Sequence, residues 1–276
     1  MQNRGTLIGA IFACAATSVD AQWLHHTDSR IPRTKDGKPN LMAPAPRLNG
    51  KPDFSGVWVA DRPPVAEIAK VMPKEIADVQ VDLNDVAPHG LSVFWGLKPE
   101  EQPLRPEGAA LLKQRSRDTI NMPTTHCLPA GVPMSEFIYA IKLVQAPQEI
   151  LMLSETGDPP RQIYTDGREL PQNPDPTWMG YSIGKWEGET LVVTTAGFND
   201  RAWLDASGHP RSESMRITER YRRRDFGHLD VEITLDDPKY YTRPFSLKAS
   251  LTLIPDSDIL ESVCAENEKD RVHLKN

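Results

Sequence analysis

Two runs of strict two-residue alternation limit what this chain can fold into more than any other feature. In residues 215–224, Met215, Ile217 and Tyr221 share one face, and Arg216, Thr218, Arg220 and Arg222 share the other. In residues 245–254, Phe245, Leu247, Ala249, Leu251 and Leu253 alternate with Ser246, Lys248, Ser250, Thr252 and Ile254. Successive side chains of a strand point to opposite faces, so each run reads as a strand with one face in a core. Glu219 interrupts the first run by falling on its apolar face. A carboxylate there has to be paired, protonated or turned into a cavity, because an isolated buried charge is too costly.

Further strands follow at short spacing: 137–145, 149–155, 161–165, two within 176–193, and 259–264. Asp166-Gly167 marks a turn, and Gly188 offers the positive φ that a two-residue hairpin loop demands. The first strand, 54–59, contains Gly56-Val57-Trp58. This Gly-x-Trp start resembles that of lipocalin-like (calycin) barrels, in which the Trp plugs the closed end. Many short strands with local connections predict a mainly β chain, an antiparallel up-and-down (lipocalin-like) barrel or a strongly curved sheet. Pro63, Pro64, Pro73, Pro88, Pro99, Pro103 and Pro106 exclude long regular elements from 62–125. That region is expected to be a Pro-rich, partly helical insertion or cap. Helices are expected at 73–78 and 106–119, with Leu91, Phe94 and Trp95 shielding one barrel mouth. Residues 22–52 read as a Pro-rich arm, and 53–276 as a single barrel domain.

The chain has 276 residues, a formal net charge of −6 and three cysteines. The acidic balance argues against general nucleic-acid binding, and the basic run of Arg220 and Arg222 to Arg224 reads as a solvated face. Arg4, the apolar run 7–16 and Val19-Asp20-Ala21 read as a secretory signal peptide, residues 1–21, cleaved after about Ala21. That points to a periplasmic or secreted protein; a lipoprotein lipidated on Cys14 is the alternative. No other segment is apolar enough to be transmembrane. Cys127 and Cys264 then remain, and an isolated pair in an oxidising compartment is expected to form a disulfide. The competing reading is a catalytic thiol at Cys127 beside His126.

Residues 197–213 concentrate Asn199, Asp200, Arg201, Trp203, Asp205, His209 and Glu213 in one long loop. Such loops either pack on themselves, here with Trp203 as anchor, or carry binding and catalysis at a barrel rim. The functional reading gathers Asp200, His209 and Glu219 as catalytic proton-transfer groups around one mouth. Trp178, Tyr181, Asn199, Trp203 and Tyr221 are candidate ligand-binding residues, since small-molecule pockets are mainly apolar with a few placed polar groups. Pro210 opposes a helix that would put His209 and Glu213 on one face, and no motif implies a metal or a cofactor. Ser182 lies in Gly180-Tyr181-Ser182-Ile183-Gly184, the letters of a nucleophile elbow, but inside an expected strand. Two functions fit: a barrel enclosing a small, largely apolar or aromatic ligand, or a cofactor-free hydrolase, lyase or isomerase. A third is an envelope interaction protein that binds a partner through the arm and the insertion. Oligomeric state is left open.

Seven segments together resemble a family of uncharacterised secreted bacterial proteins. They are G-K-P-D-F-S-G-V-W (50–58), H-C-L-P-A-G-V-P (126–133), R-Q-I-Y-T-D-G-R (161–168), P-T-W-M-G-Y-S-I-G-K-W-E-G-E-T-L-V-V (176–193), G-F-N-D-R-A-W-L-D (197–205), G-H-P-R-S-E (208–213) and T-E-R-Y-R-R-R-D-F-G-H (218–228). The resemblance implies a secreted protein and assigns no reaction. A barrel of this kind hosts carriers, inhibitors and a few enzymes, so the fold does not choose among them.

Overall fold

A computed structural model describes residues 27–64, 68, 87–155 and 157–264. The segments read as a signal peptide, as an alternative lipidation site at Cys14 and as a helix at 73–78 lie outside the described residues. A short hairpin comes first, β1 (Arg47–Leu48) and β2 (Lys51–Pro52). Its loop is Asn49-Gly50, both at positive φ, as a type I′ turn requires.

Nine strands then close into a barrel: β3 (Gly56–Ala60), β4 (Ala140–Gln145), β5 (Glu149–Ser154), β6 (Arg161–Tyr164), β7 (Tyr181–Glu187), β8 (Thr190–Ala196), β9 (Arg216–Arg223), β10 (His228–Asp236) and β11 (Phe245–Leu253). Their order around the ring is β10-β11-β3-β4-β5-β6-β7-β8-β9. The two alternating runs of the sequence are β9 and β11, and both pair with β10 along their length. The β7–β8 loop is Gly188-Glu189, with Gly188 at φ 62°.

The purely antiparallel, lipocalin-like topology expected from the sequence is wrong. β6 and β7 run parallel, with Ile163 opposite Ser182 and Tyr164 opposite Ile183. The reason is arithmetic: directions cannot alternate all the way round a closed ring of nine, so one neighbouring pair has to be parallel. A parallel pair needs a crossover of a dozen or more residues. Residues 165–180, with Asp166-Gly167 and the prolines 171, 174 and 176, are that crossover. The last expected strand is also absent, since residues 257–263 are irregular and the series ends at β11. Cys264 instead forms a disulfide with Cys127, as the cysteine count predicts, which removes the catalytic thiol reading.

The long connections β3–β4 and β8–β9 leave from the same end of the barrel, the end where β6 and β7 begin. The first is the insertion, with α1 (Pro88–Leu91), α2 (Pro106–Arg115) and several 3-10 turns. Pro106 opens α2 at a position where its missing N–H costs nothing. As expected, Phe94 caps this mouth: its ring lies 4.5 Å from Phe245, 4.9 Å from His209 and 6.0 Å from Tyr241.

The other end is plugged. Trp58 is fully buried, donates its indole N–H to Phe54 O at 2.9 Å, and lies 4.8 Å beneath the Arg223 guanidinium. Arg223 is not part of a solvated face as the basic run suggests; it continues the inward series of β9 and donates to the carbonyls of Asp53, Asp225 and Phe226. Burial pushes its guanidinium pKa down to about 10. The arm covers this end, with Phe226 and Gly227 N–H donating to Ala43 and Leu41 O. No helix among the described residues is long and apolar enough to cross a membrane.

Candidate functional site

The barrel interior is filled by its own side chains, apolar along β3, β4, β5, β10 and β11, and mixed along β6 to β9, where Arg161, Ser182, Thr195 and Glu219 are buried beside Ile163, Leu191, Val193 and Ile217. Arg161 opens β6 on the same face as Ile163. All five of its N–H groups are spent: Nε on Ser182 Oγ (3.1 Å), Nη1 on Glu136 Oε1 (2.9 Å) and Glu219 Oε1 (2.8 Å), and Nη2 on Thr195 Oγ1 (2.8 Å) and Glu219 Oε2. Ser182 Oγ is bonded to Thr195 Oγ1 at 2.9 Å, so it is a strut of the network. Glu219 is therefore paired, and every member is at most 2% exposed.

The proton count of this cluster follows from its geometry. Tyr221 Oη sits 2.7 Å from Glu136 Oε2 and 2.8 Å from Glu219 Oε1, yet a phenol has one proton to give. It can serve both carboxyls only by sharing that proton, and one cation beside two carboxyls is neutral only if one of them is protonated. Burial, then the charge on Glu219, push Glu136 up to about 8. Burial also works against Glu219, but the Arg161 charge and hydrogen bonds hold it below its ordinary value. The proton thus sits on Glu136, and the Tyr221 hydroxyl bridges the two carboxyl groups. Burial and then the Glu136 charge push the phenol well above its usual range, so it stays protonated.

The second cluster lies at the capped mouth. His209 Nδ1 is 2.6 Å from Asp205 Oδ2, and His209 Nε2 is 3.1 Å from Gln102 Oε1 of the cap. Asp205 also accepts the N–H groups of Val93, Gly208 and His209, so one buried carboxylate orders both the cap and the loop. Asp237 does likewise for Ser212 and Lys239. Arg211, fully buried, donates to the carbonyls of Val132, Trp178 and Asn199 and to Asn199 Oδ1, stitching three segments together. Burial, then the charge on Arg115, press its pKa down to about 9. Residues 202–212 are buried throughout, so the loop is packed on itself with Trp203 inside it.

The residues expected in one site are dispersed. His209 is at the mouth and Glu219 is locked inside the barrel. Asp200 is exposed and, among the described residues, bonds to neither. Tyr221 belongs to the interior network. Trp203 lies under Arg115, Trp178 under Arg201, and Asn199 holds Arg211. Tyr181 sits outside the wall against Tyr164, its hydroxyl accepting from Arg168 at 3.0 Å. Asp205, Arg161 and Glu136 were missed as site residues. Asp205 stands four residues before His209, and Arg161 alternates with Ile163 as Glu219 does with Ile217, so both signals were present. Nothing near Glu136 in sequence places it. No group of three or more His, Cys, Asp or Glu side chains among the described residues is arranged to hold a metal ion. No protein-family model and no curated protein matches the chain.

Proposed function

We propose that this protein is a cofactor-free enzyme, a hydrolase, lyase or isomerase, that moves a proton at the capped mouth of its barrel. His209 is the acid–base group and Asp205 its positioning partner. The observation that carries this reading is the pair itself. A buried carboxylate holds Nδ1, and Nε2 faces one cap side chain, Gln102. Such a carboxylate fixes the ring and stabilises the imidazolium formed when Nε2 takes a proton. A substrate group that displaces Gln102 meets Nε2 directly. One positioned base of this kind contributes about 10²–10⁴-fold in rate. Glu219 is left out of turnover, because both its oxygens are spent on Arg161 and Tyr221. The filled interior favours this reading over a carrier that encloses its ligand. The Cys127–Cys264 bond supports a periplasmic or secreted setting.

The test is a panel of small organic acids and esters incubated with the protein in deuterated water. Nuclear magnetic resonance reads deuterium entering carbon positions and any hydrolysis. The wild type is expected to turn over at least one compound, and His209→Gln to lose about 100-fold or more with its circular dichroism spectrum intact. Wild-type rates in a folded His209→Gln protein would defeat the reading.

A further inference from the structure

The cap and the mouth loop bring two guanidinium groups, Arg115 and Arg211, close enough for their charges to interact, and among the described residues neither has a carboxylate in ion-pair contact. Arg211 bonds only to neutral oxygens. Arg115, the last residue of α2, is half-buried and lies 5.2 Å over the Trp203 ring. Its one hydrogen bond is Nη1 to Gly208 O at 3.5 Å, the outer limit of such a contact. Most of the Arg115 fork is therefore unspent, among the described residues, at a point one residue from His209. Burial lowers its pKa and outweighs the opposing charges of Tyr240, Tyr241, Asp200 and Asp205. The acids nearby are occupied or turned away. Asp205 holds His209, Asp158 accepts the Ala130 N–H, and Asp200 is exposed and paired with neither arginine.

From this we infer that the mouth takes a carboxylate-bearing substrate, clamped by Arg115, with Trp203 as the plane that holds the guanidinium flat. The fork of an arginine matches a carboxylate with two parallel N–H···O bonds, and an aromatic face beneath it keeps the fork oriented. The bound carboxylate supplies the direct ion pair that Arg115 lacks among the described residues. The chemistry that follows rests on the proton-transfer reading above; the binding does not.

The probe is benzoate, titrated calorimetrically into the full chain, with benzamide as the neutral control of the same shape. Benzoate is expected to bind one to one, and benzamide at least about tenfold more weakly, as loss of a charge-assisted bidentate pair implies. Arg115→Met keeps the stem over Trp203 and removes the charge; it is expected to weaken benzoate about tenfold or more. Should that variant fail to fold, Arg115→Lys keeps the charge and loses the fork, and a several-fold loss is expected. No binding of benzoate to the wild type, equal binding of benzamide, tighter binding of inorganic phosphate, or unchanged affinity in a folded Arg115 variant would each overturn the inference. His209→Gln separates the two proposals: intact benzoate binding with wild-type turnover defeats proton transfer alone, and intact binding in Arg115→Met defeats the clamp alone.

Discussion

Glu136 couples the acid–base state of the interior to stability. Its folded pKa of about 8 lies above the ordinary carboxyl value of 4.5. The folded chain therefore keeps a proton that the unfolded chain releases, and stability falls as pH rises from about 4.5 through about 8. Glu219 acts in the opposite sense, since its lowered pKa gives stability that is present above 4.5 and lost in acid. Thermal unfolding is expected to show a melting temperature that declines between about pH 5 and pH 8.5. Glu136→Gln should flatten that decline, because a Gln amide repeats the donor and acceptor of the protonated acid; a flat wild-type profile would remove the shared proton. Glu219→Gln leaves Arg161 with Glu136 as its remaining carboxyl partner and should cost about 1–3 kcal/mol through the hydrogen bonds it breaks. The interior pair was half legible. Alternation exposed Glu219, and the same test on 161–165 exposes Arg161, but Glu136 arrives from a 3-10 turn with no period to betray it.

At the scale of elements, the strands were readable because side-chain alternation and turn chemistry are local. The parallel pair was not, because strand direction is set by where the crossover sends the chain. That crossover re-enters the barrel at Gly180, whose φ is 68°. A Cβ there would lie 2.7 Å from Thr195 Cγ2 and 2.8 Å from Phe198 Cε1. Gly180→Ala thus meets both an unfavourable backbone and a filled space, and is expected to lose about 2–4 kcal/mol by denaturant unfolding. A loss below about 0.5 kcal/mol would mean that the loop relaxes around the new methyl and that this entry point is not fixed. The cap was legible in its prolines and its aromatic residues. Its anchorage on Asp205 was not, since a hydrogen bond from Val93 N–H spans 112 residues of sequence.

Across the whole molecule, pairing around the ring is uneven. β10 matches each neighbour over eight positions, whereas β6 meets β7 over two. Just past the end of the short β6, a small cavity of about 60 Å³ lies between Ile150, Thr165 and Trp186, and Leu48 and Lys51 of the arm hairpin help to line it. Native-state amide exchange is expected to be fastest, among barrel amides, along β6 and the start of β7, and slowest in β10. Equal protection all round would show that the ring opens only on global unfolding.

Cutting the ring on paper at β6–β7 leaves the order β7-β8-β9-β10-β11-β3-β4-β5-β6, every remaining neighbour antiparallel. The open form is one antiparallel sheet of two meanders, β3 to β6 and β7 to β11, joined at the β11–β3 pair, and its two margins are the strands that met at the cut. Each margin would present unpaired backbone groups to any other copy that had opened likewise, and strand edges of that kind join readily. The proline crossover and the arm hairpin thus stand guard over the solubility of the chain, since they flank the place where one molecule could begin to add itself to another.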